Sequence, residues 1–97
     1  MLKTLVSKIE RKIALRYYRQ QTQANQSKYP QVCCYAFDYI AEHINFDGRF
    51  EKHELAFILD KMDQYIAGKN ILDIGANIGN HTLAFAERAK QVHAFEP

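Results

Sequence analysis

A short glycine-containing segment near the end of the 97-residue chain holds the side chains whose types and spacing could do chemistry. Asp73 stands two positions before Gly75, Gly79 stands four after it, and Glu96 follows Gly75 by 21 positions. A glycine bend lets a ligand approach the backbone, and a carboxylate about 20 residues further on can accept hydrogen bonds from both hydroxyls of a ribose. The spacing therefore predicts a site for a nucleoside.

The elements around these residues should place them at one edge of a sheet. Residues 71–74 are nearly all apolar, as in a strand buried on both faces of a parallel sheet, and residues 92–96 form a second candidate strand. Between them, residues 80–90 are rich in good helix formers. Strand, glycine loop, helix and strand make one crossover unit, whose ligands lie beyond the carboxyl ends of the strands. Pro97 helps to hold the preceding residue extended.

The type of nucleoside is indicated by two departures from a dinucleotide fingerprint. Asn77 stands where the pattern G-x-G-x-x-G has its second glycine, and its side chain would crowd a pyrophosphate. The negative charge of Asp73 repels phosphate and suits a cationic sulfonium or ammonium group. The same carboxylate could instead brace the loop by bonding nearby groups. These features favour S-adenosylmethionine over NAD as the cofactor, without excluding a dinucleotide.

Two stretches, D-I-G-A-N-I-G-N-H-T over residues 73–82 and A-F-E-P over residues 94–97, resemble the cofactor motifs of the FkbM-type S-adenosylmethionine-dependent methyltransferases. The resemblance is firm over residues 70–97 and looser over residues 44–55. It implies methyl transfer to a hydroxyl of a small molecule or glycan, by catalytic residues that the sequence does not identify. It also implies cofactor contacts for Asp73, Gly75, Asn77 and Gly79 at the methionine end, for Ala76 and Asn80 through the backbone, and for Glu96 at the ribose.

The expected fold class is α/β, an incomplete Rossmann-like methyltransferase fold comprising the first β-α-β unit, preceded by helices and a short hairpin. Residues 1–30 are expected to form a basic amphipathic helix and a polar linker, and residues 31–97 the N-terminal part of the methyltransferase domain. Because the chain ends at the expected ribose ligand, we expect it to lack the acceptor site and to be inactive alone. Two alternatives stay open: a fragment of an NAD-dependent or other nucleotide-binding Rossmann enzyme, and a non-catalytic remnant acting as an interaction piece.

The segments before the motif give weaker signals. Apolar residues at three- and four-residue steps predict a helix over residues 2–22, and the polar stretch 20–30 is the best candidate linker. The apolar stretch 32–41 does not distinguish helix from strand. Asp-Gly within residues 44–51 predicts a short hairpin, and residues 53–67 predict a helix that ends at a glycine.

The charge of the chain is uneven, although its net value is only +2. Residues 1–30 carry seven basic side chains and one acidic one, whereas residues 31–97 carry six basic and ten acidic ones. The basic helix could touch a membrane surface, but packing of its apolar stripe onto the domain is the commoner arrangement. Nucleic acid is not an expected partner, whereas association through an open sheet edge is expected.

The cysteines and histidines indicate neither a disulfide framework nor a metal site. Cys33 and Cys34 are adjacent and the only two cysteines, so they cannot close a useful loop. The four histidines are scattered, without the spacing of metal ligands. No targeting segment or membrane span is recognised. We therefore expect reduced thiols in a cytoplasmic protein without a bound metal.

Overall fold

The computed structural model describes residues 1–35 and 38–97, and it shows helices together with a two-stranded parallel sheet. Over these residues the expected α/β class is therefore confirmed. The undetermined stretch 32–41 includes two residues, 36 and 37, that lie outside the described part of the chain. In chain order the elements are α1 (Leu2–Gln26), α2 (Tyr39–Asp47), α3 (Lys52–Lys61), α4 (Asp63–Ile66), β1 (Asn70–Ile74), α5 (Asn80–Ala86) and β2 (Gln91–Phe95).

Strands β1 and β2 pair in parallel with α5 between them in sequence, as the motif predicts. Asn70 lies opposite Gln91 and Ile74 opposite Phe95, so the strands run side by side without offset. Gly68 donates to the carbonyl of Arg88 at 2.9 Å and joins the segments that enter the two strands. The carboxyl ends of both strands consequently meet at one edge, next to the loop that precedes α5.

The expected burial of β1 on both sides is wrong, because only one face of the sheet is covered. Side chains alternate between faces along a strand. Ile71 and Val92 share the half-buried face with Asp73, whereas Leu72 and Ile74 lie with Phe95 on a face that is open to solvent. Helix α5 contacts both strands, and no described helix makes comparable contact with the open face. The two strands therefore carry more apolar side chains than the described residues cover.

The predicted hairpin over residues 44–51 is wrong, because residues 39–47 form helix α2. Asp38 caps the start of this helix by accepting from the Ile40 amide, and Gly48 ends it in the left-handed region at φ 85°. An Asp-Gly pair supplies a positive φ equally well to a hairpin turn and to a helix C-terminus. Here the helix is favoured because Ala41 and Ile44, three residues apart, are both buried on one side.

The predicted linker is also shorter than expected, because α1 continues through Gln26 and occupies most of residues 20–30. Asn25 of this last turn donates its side-chain amide to the carbonyls of Asn45 and Phe46 at 3.3 and 3.1 Å. Phe46 itself packs against Tyr17 and Tyr18 of α1. These contacts with α2 stabilise the helical conformation of the polar stretch, which has no apolar periodicity of its own.

The helix predicted over residues 53–67 forms as two helices, α3 and α4, separated at Met62. Leu55, Leu59 and Ile66 of its predicted stripe are buried, whereas Ile58 and Met62 are exposed. The core of the described residues is small and consists of the buried side chains Ala41, Ile44, Leu55, Leu59, Ile66, Ala76 and Ala84.

Helix α1 extends away from this core, contrary to the expectation that its apolar stripe packs onto the domain. None of its residues is buried, and every residue from Leu2 to Gln20 is exposed. The molecule measures 60 × 28 × 18 Å, with a radius of gyration of 17.2 Å, against about 13 Å for a compact domain of similar length. Within the described parts of the chain, no helix combines the length and the apolar character needed to cross a bilayer.

Candidate functional site

The loop between β1 and α5 is held in shape largely by its own backbone. Gly75 and Gly79 adopt positive φ values of 83° and 85°, and Asn77 adopts 50°. The amides of Gly75 and Ala76 both donate to the carbonyl of Phe95, at 2.8 and 3.1 Å, while Gly79 donates to the carbonyl of Ala76 at 2.8 Å. Since these three amides are occupied, the loop offers few free donors for a phosphate.

Glu96 completes the loop from the end of β2. One carboxylate oxygen accepts from the Asn77 amide at 2.7 Å, which fixes the side chain beside the glycine bend. The side chain is otherwise exposed. Its second oxygen therefore remains free to accept from a hydroxyl of a bound molecule. The sequence prediction that a carboxylate of the second strand approaches the loop agrees with this geometry.

Asp73 lies on the same side of the sheet as Glu96, because Asp73 pairs with Ala94, and Ala94 and Glu96 line the same cleft. Its carboxylate accepts a hydrogen bond from the Thr82 hydroxyl in the first turn of α5. The sequence left open whether Asp73 braces the loop or contacts a ligand, and the bracing contact is present. One of its two oxygens is engaged in this way, so bracing and ligand contact are compatible.

The side chain of Asn80 has a structural role, which leaves the backbone contact implied by the resemblance untested. The residue is buried, and its side chain forms two hydrogen bonds with the backbone of Phe50, accepting from the amide at 3.2 Å and donating to the carbonyl at 3.0 Å. This pair of bonds attaches the start of α5 to the turn between α2 and α3. Asn80 therefore helps to position the loop by fixing the start of α5.

A carboxylate–imidazole pair next to the loop was not predicted from the sequence. Glu51 precedes α3 with a positive φ of 52°, and its carboxylate lies 2.7 Å from Nε2 of His81 in α5. Both side chains are about half exposed. The 30 residues that separate them, and the unusual backbone of Glu51, leave no local signal by which the pairing could be found in the sequence.

An ion pair between a buried arginine and an exposed glutamate holds the opposite end of α5. Arg49 is buried and pairs with Glu87, and its guanidinium lies 5.0 Å from the centre of the Tyr29 ring. The arginine thus joins the end of α5 to the segment that follows α1. Together with Asn80, this contact fixes both ends of α5 to the helical part of the molecule.

A cleft of about 430 Å³ lies on the covered side of the loop. Asn77, Gly79 and Glu96 line it on one side, and residues 31–33 line it on the other. The segment after α1 thereby closes part of the site, which the sequence did not predict. Burial raises the pKa of the neighbouring Cys34 thiol, and the proximity of Cys33 and Asp38 adds to this effect, so this thiol keeps its proton to higher pH than an ordinary cysteine.

Metal chemistry has no visible basis in the described residues. Across residues 1–35 and 38–97, no group of three or more histidine, cysteine or acidic side chains is arranged to hold an ion. Cys33 and Cys34 are both free thiols, in agreement with the sequence expectation. The one charged side chain that lines the cleft among the described residues is Glu96, a carboxylate suited to bind hydroxyls and cations.

Comparisons with protein-family models, with curated proteins and with solved structures found no match to this chain. The site itself is therefore the basis for assigning a function. Its distinctive features are a glycine bend with internally bonded amides, two carboxylates on one side of the sheet, and an adjoining cleft.

Proposed function

We propose that this chain binds S-adenosylmethionine at the Gly75–Gly79 loop and carries the first cofactor motifs of an FkbM-type, Rossmann-like methyltransferase. The observation that carries the proposal is the fixed position of Glu96, whose carboxylate is held by the Asn77 amide with one oxygen left for the ribose. The resemblance of residues 73–82 and 94–97 to the family motifs supports the same assignment. Transfer to a hydroxyl acceptor belongs to this proposal.

The hydrogen bonds of the loop favour this cofactor over a dinucleotide. A pyrophosphate site presents free backbone amides to the phosphates, whereas here Gly75, Ala76 and Gly79 donate within the protein and Asn77 donates to Glu96. Asp73 and Glu96 also make this edge of the sheet negative. A cationic sulfonium with its ammonium group suits this field, and a dianionic pyrophosphate does not.

In this proposal, the described residues bind and orient the cofactor. Glu96 would accept hydrogen bonds from the ribose, and Asp73, braced by Thr82, would lie near the cationic end. Methyl transfer is a direct displacement at the sulfonium carbon, so catalysis depends on alignment of the acceptor oxygen and on removal of its proton. The bound cofactor supplies the methyl group, and the protein supplies the alignment.

A thermal-unfolding titration tests the proposal. At about ten times the dissociation constant, a ligand that binds only the folded chain stabilises it by about 1.4 kcal/mol, which raises Tm by roughly 6–11 °C in a domain of this size. We expect S-adenosylmethionine to raise Tm at high micromolar or millimolar concentration and NAD to leave it unchanged.

A matched pair of variants locates the effect. Glu96→Gln removes the charge and one ribose acceptor, so the shift with S-adenosylmethionine should disappear. Glu54→Gln makes the same chemical change on an exposed residue of α3 and should keep the shift. Stabilisation by NAD, or an equal shift in both variants, would contradict the assignment.

A further inference from the structure

The exposed stripe of α1 consists of Leu2, Leu5, Val6, Ile9 and Ile13, which recur at three- and four-residue steps along the helix. These five side chains are between 45% and 76% exposed, although their spacing is that of a buried helix face. The described residues thus leave a long apolar strip of the helix without a protein partner.

The stripe faces away from the rest of the molecule. Helix α1 is attached through Tyr17, Tyr18 and Asn25, which contact Phe46 and Asn45 of α2. At 100° per residue, Tyr18 and Asn25 lie about 155° around the helix from the centre of the stripe, and Tyr17 lies about 65° from it. All three follow the last residue of the stripe, Ile13, in the chain. The attachment to α2 therefore leaves the stripe open along its full length.

A row of cations follows one border of the stripe. Lys8, Lys12, Arg16 and Arg19 recur at steps of four, four and three residues, so neighbouring charges along this row repel each other. Helix α1 as a whole carries six basic side chains and one acidic one. Within the described residues, none of the six forms an ion pair, because all five ion pairs involve residues beyond α1. An external anionic partner would relieve this repulsion.

We propose that α1 lies flat on an anionic lipid surface, with the stripe at the boundary between headgroups and acyl chains and the cations on the headgroups. A basic helix with an aliphatic face and a low overall hydropathy binds in this way, by apolar area and charge together. Residues 27–97 carry seven basic and ten acidic side chains, so the attraction must come from α1.

Two kinds of protein partner, a second copy of this chain and a groove of another protein, fit the stripe less well than a lipid surface does. In a coiled coil with a second copy, the spacing of Leu2, Val6, Ile9 and Ile13 continues onto Arg16. The apolar repeat therefore ends after about two heptads, short of the three or four that a coiled coil needs. Two such helices would also repel each other by charge. A protein groove usually takes a bulky aromatic anchor, and residues 2–16 contain none.

Co-sedimentation of the full chain with vesicles tests the proposal. We expect binding to phosphatidylcholine vesicles that contain phosphatidylserine, no binding to phosphatidylcholine alone, and loss of binding between about 0.1 and 0.5 M salt. Lys12→Gln with Arg16→Gln should weaken binding on the order of 30-fold, since each cation near such a surface contributes about fivefold.

Position-matched variants separate the stripe from the other faces of the helix. Ile9→Asp with Ile13→Asp should abolish binding, whereas Thr4→Asp with Ser7→Asp, which adds the same charge on the side away from the stripe, should retain most of it. Circular dichroism confirms that both pairs remain folded. The proposal would be overturned by equal vesicle binding of the two double variants, or by binding that does not depend on phosphatidylserine. It would also be overturned if the chain bound no vesicles and formed a dimer that only the Ile9/Ile13 variant disrupts.

Discussion

Asn80 shows how one side chain of the loop region can hold two distant segments of the chain together. It is buried, and its side chain forms hydrogen bonds with both the amide and the carbonyl of Phe50, which lies 30 residues earlier in the chain. The resemblance of residues 73–82 to cofactor motifs implies a cofactor contact through the Asn80 backbone, which stays a prediction and is compatible with this side-chain role. The inward role depends on a partner that the motif does not contain.

Replacement of Asn80 by alanine should destabilise the protein by about 2–4 kcal/mol, because two partly buried backbone groups of Phe50 would lose their partners. The measurement is equilibrium unfolding in urea. Asn70→Ala is the matched control, since Asn70 is exposed and its side chain forms no hydrogen bond among the described residues. A loss in Asn80→Ala no greater than in the control would contradict this assignment.

At the scale of elements, Gly48 lies where the end of α2 meets the segment that follows α1 and leads to the site. It ends α2 with a φ of 85°, and a β-carbon there would meet the ring of Tyr29. The guanidinium of Arg49 lies over that ring and pairs with Glu87, the residue that follows α5. The close approach of Tyr29 to this glycine therefore orders the segment that leads from α1 towards the cleft.

Gly48→Ala should cost more stability than Gly68→Ala, although both glycines have positive φ. Alanine in the left-handed region costs about 1–2 kcal/mol at either position, and only at Gly48 does it also displace an aromatic ring. At Gly68 a β-carbon meets no atom within 4 Å. Urea unfolding of both variants provides the comparison, and equal losses would show that the packing of Tyr29 on Gly48 has no energetic importance.

The strand–loop–helix–strand segment could be predicted from the sequence because its signals are local. An apolar run followed by glycines, and then by helix formers, gives β1, the loop and α5 within a few residues. The hairpin at Asp47-Gly48 was predicted wrongly because the same dipeptide also ends a helix. What decides between them is long-range: Asn25 bonds the carbonyls at the end of α2 from 20 residues away. The pairing of Glu51 with His81 is equally nonlocal.

At the scale of the whole molecule, the shape follows from the separation of α1 from the core. The long dimension of 60 Å reflects a helix that is attached at one end only. Small-angle X-ray scattering of the monomer should give a radius of gyration near 17 Å and an elongated distance distribution. A value near the 13 Å of a compact domain would mean that α1 folds back and buries its stripe.

The open sheet face raises a related question of assembly. Leu72, Ile74 and Phe95 lie exposed on the open face of two short strands, and each strand pairs on one side only among the described residues. An exposed apolar face beside an unpaired strand edge favours association. Association through this edge therefore remains a prediction. Scattering over a concentration series measures it together with the shape, since growth of the apparent mass with concentration is the expected result.

The most direct test of the central claim is to map where the cofactor binds. In a titration followed by ¹⁵N–¹H correlation spectra, S-adenosylmethionine should shift the amides of the Gly75–Gly79 loop and of Glu96, and leave those of α1 unchanged. NAD at the same concentration should shift none of them. If S-adenosylmethionine leaves the loop amides in place, or shifts residues elsewhere instead, the assignment of this loop as a cofactor site is wrong.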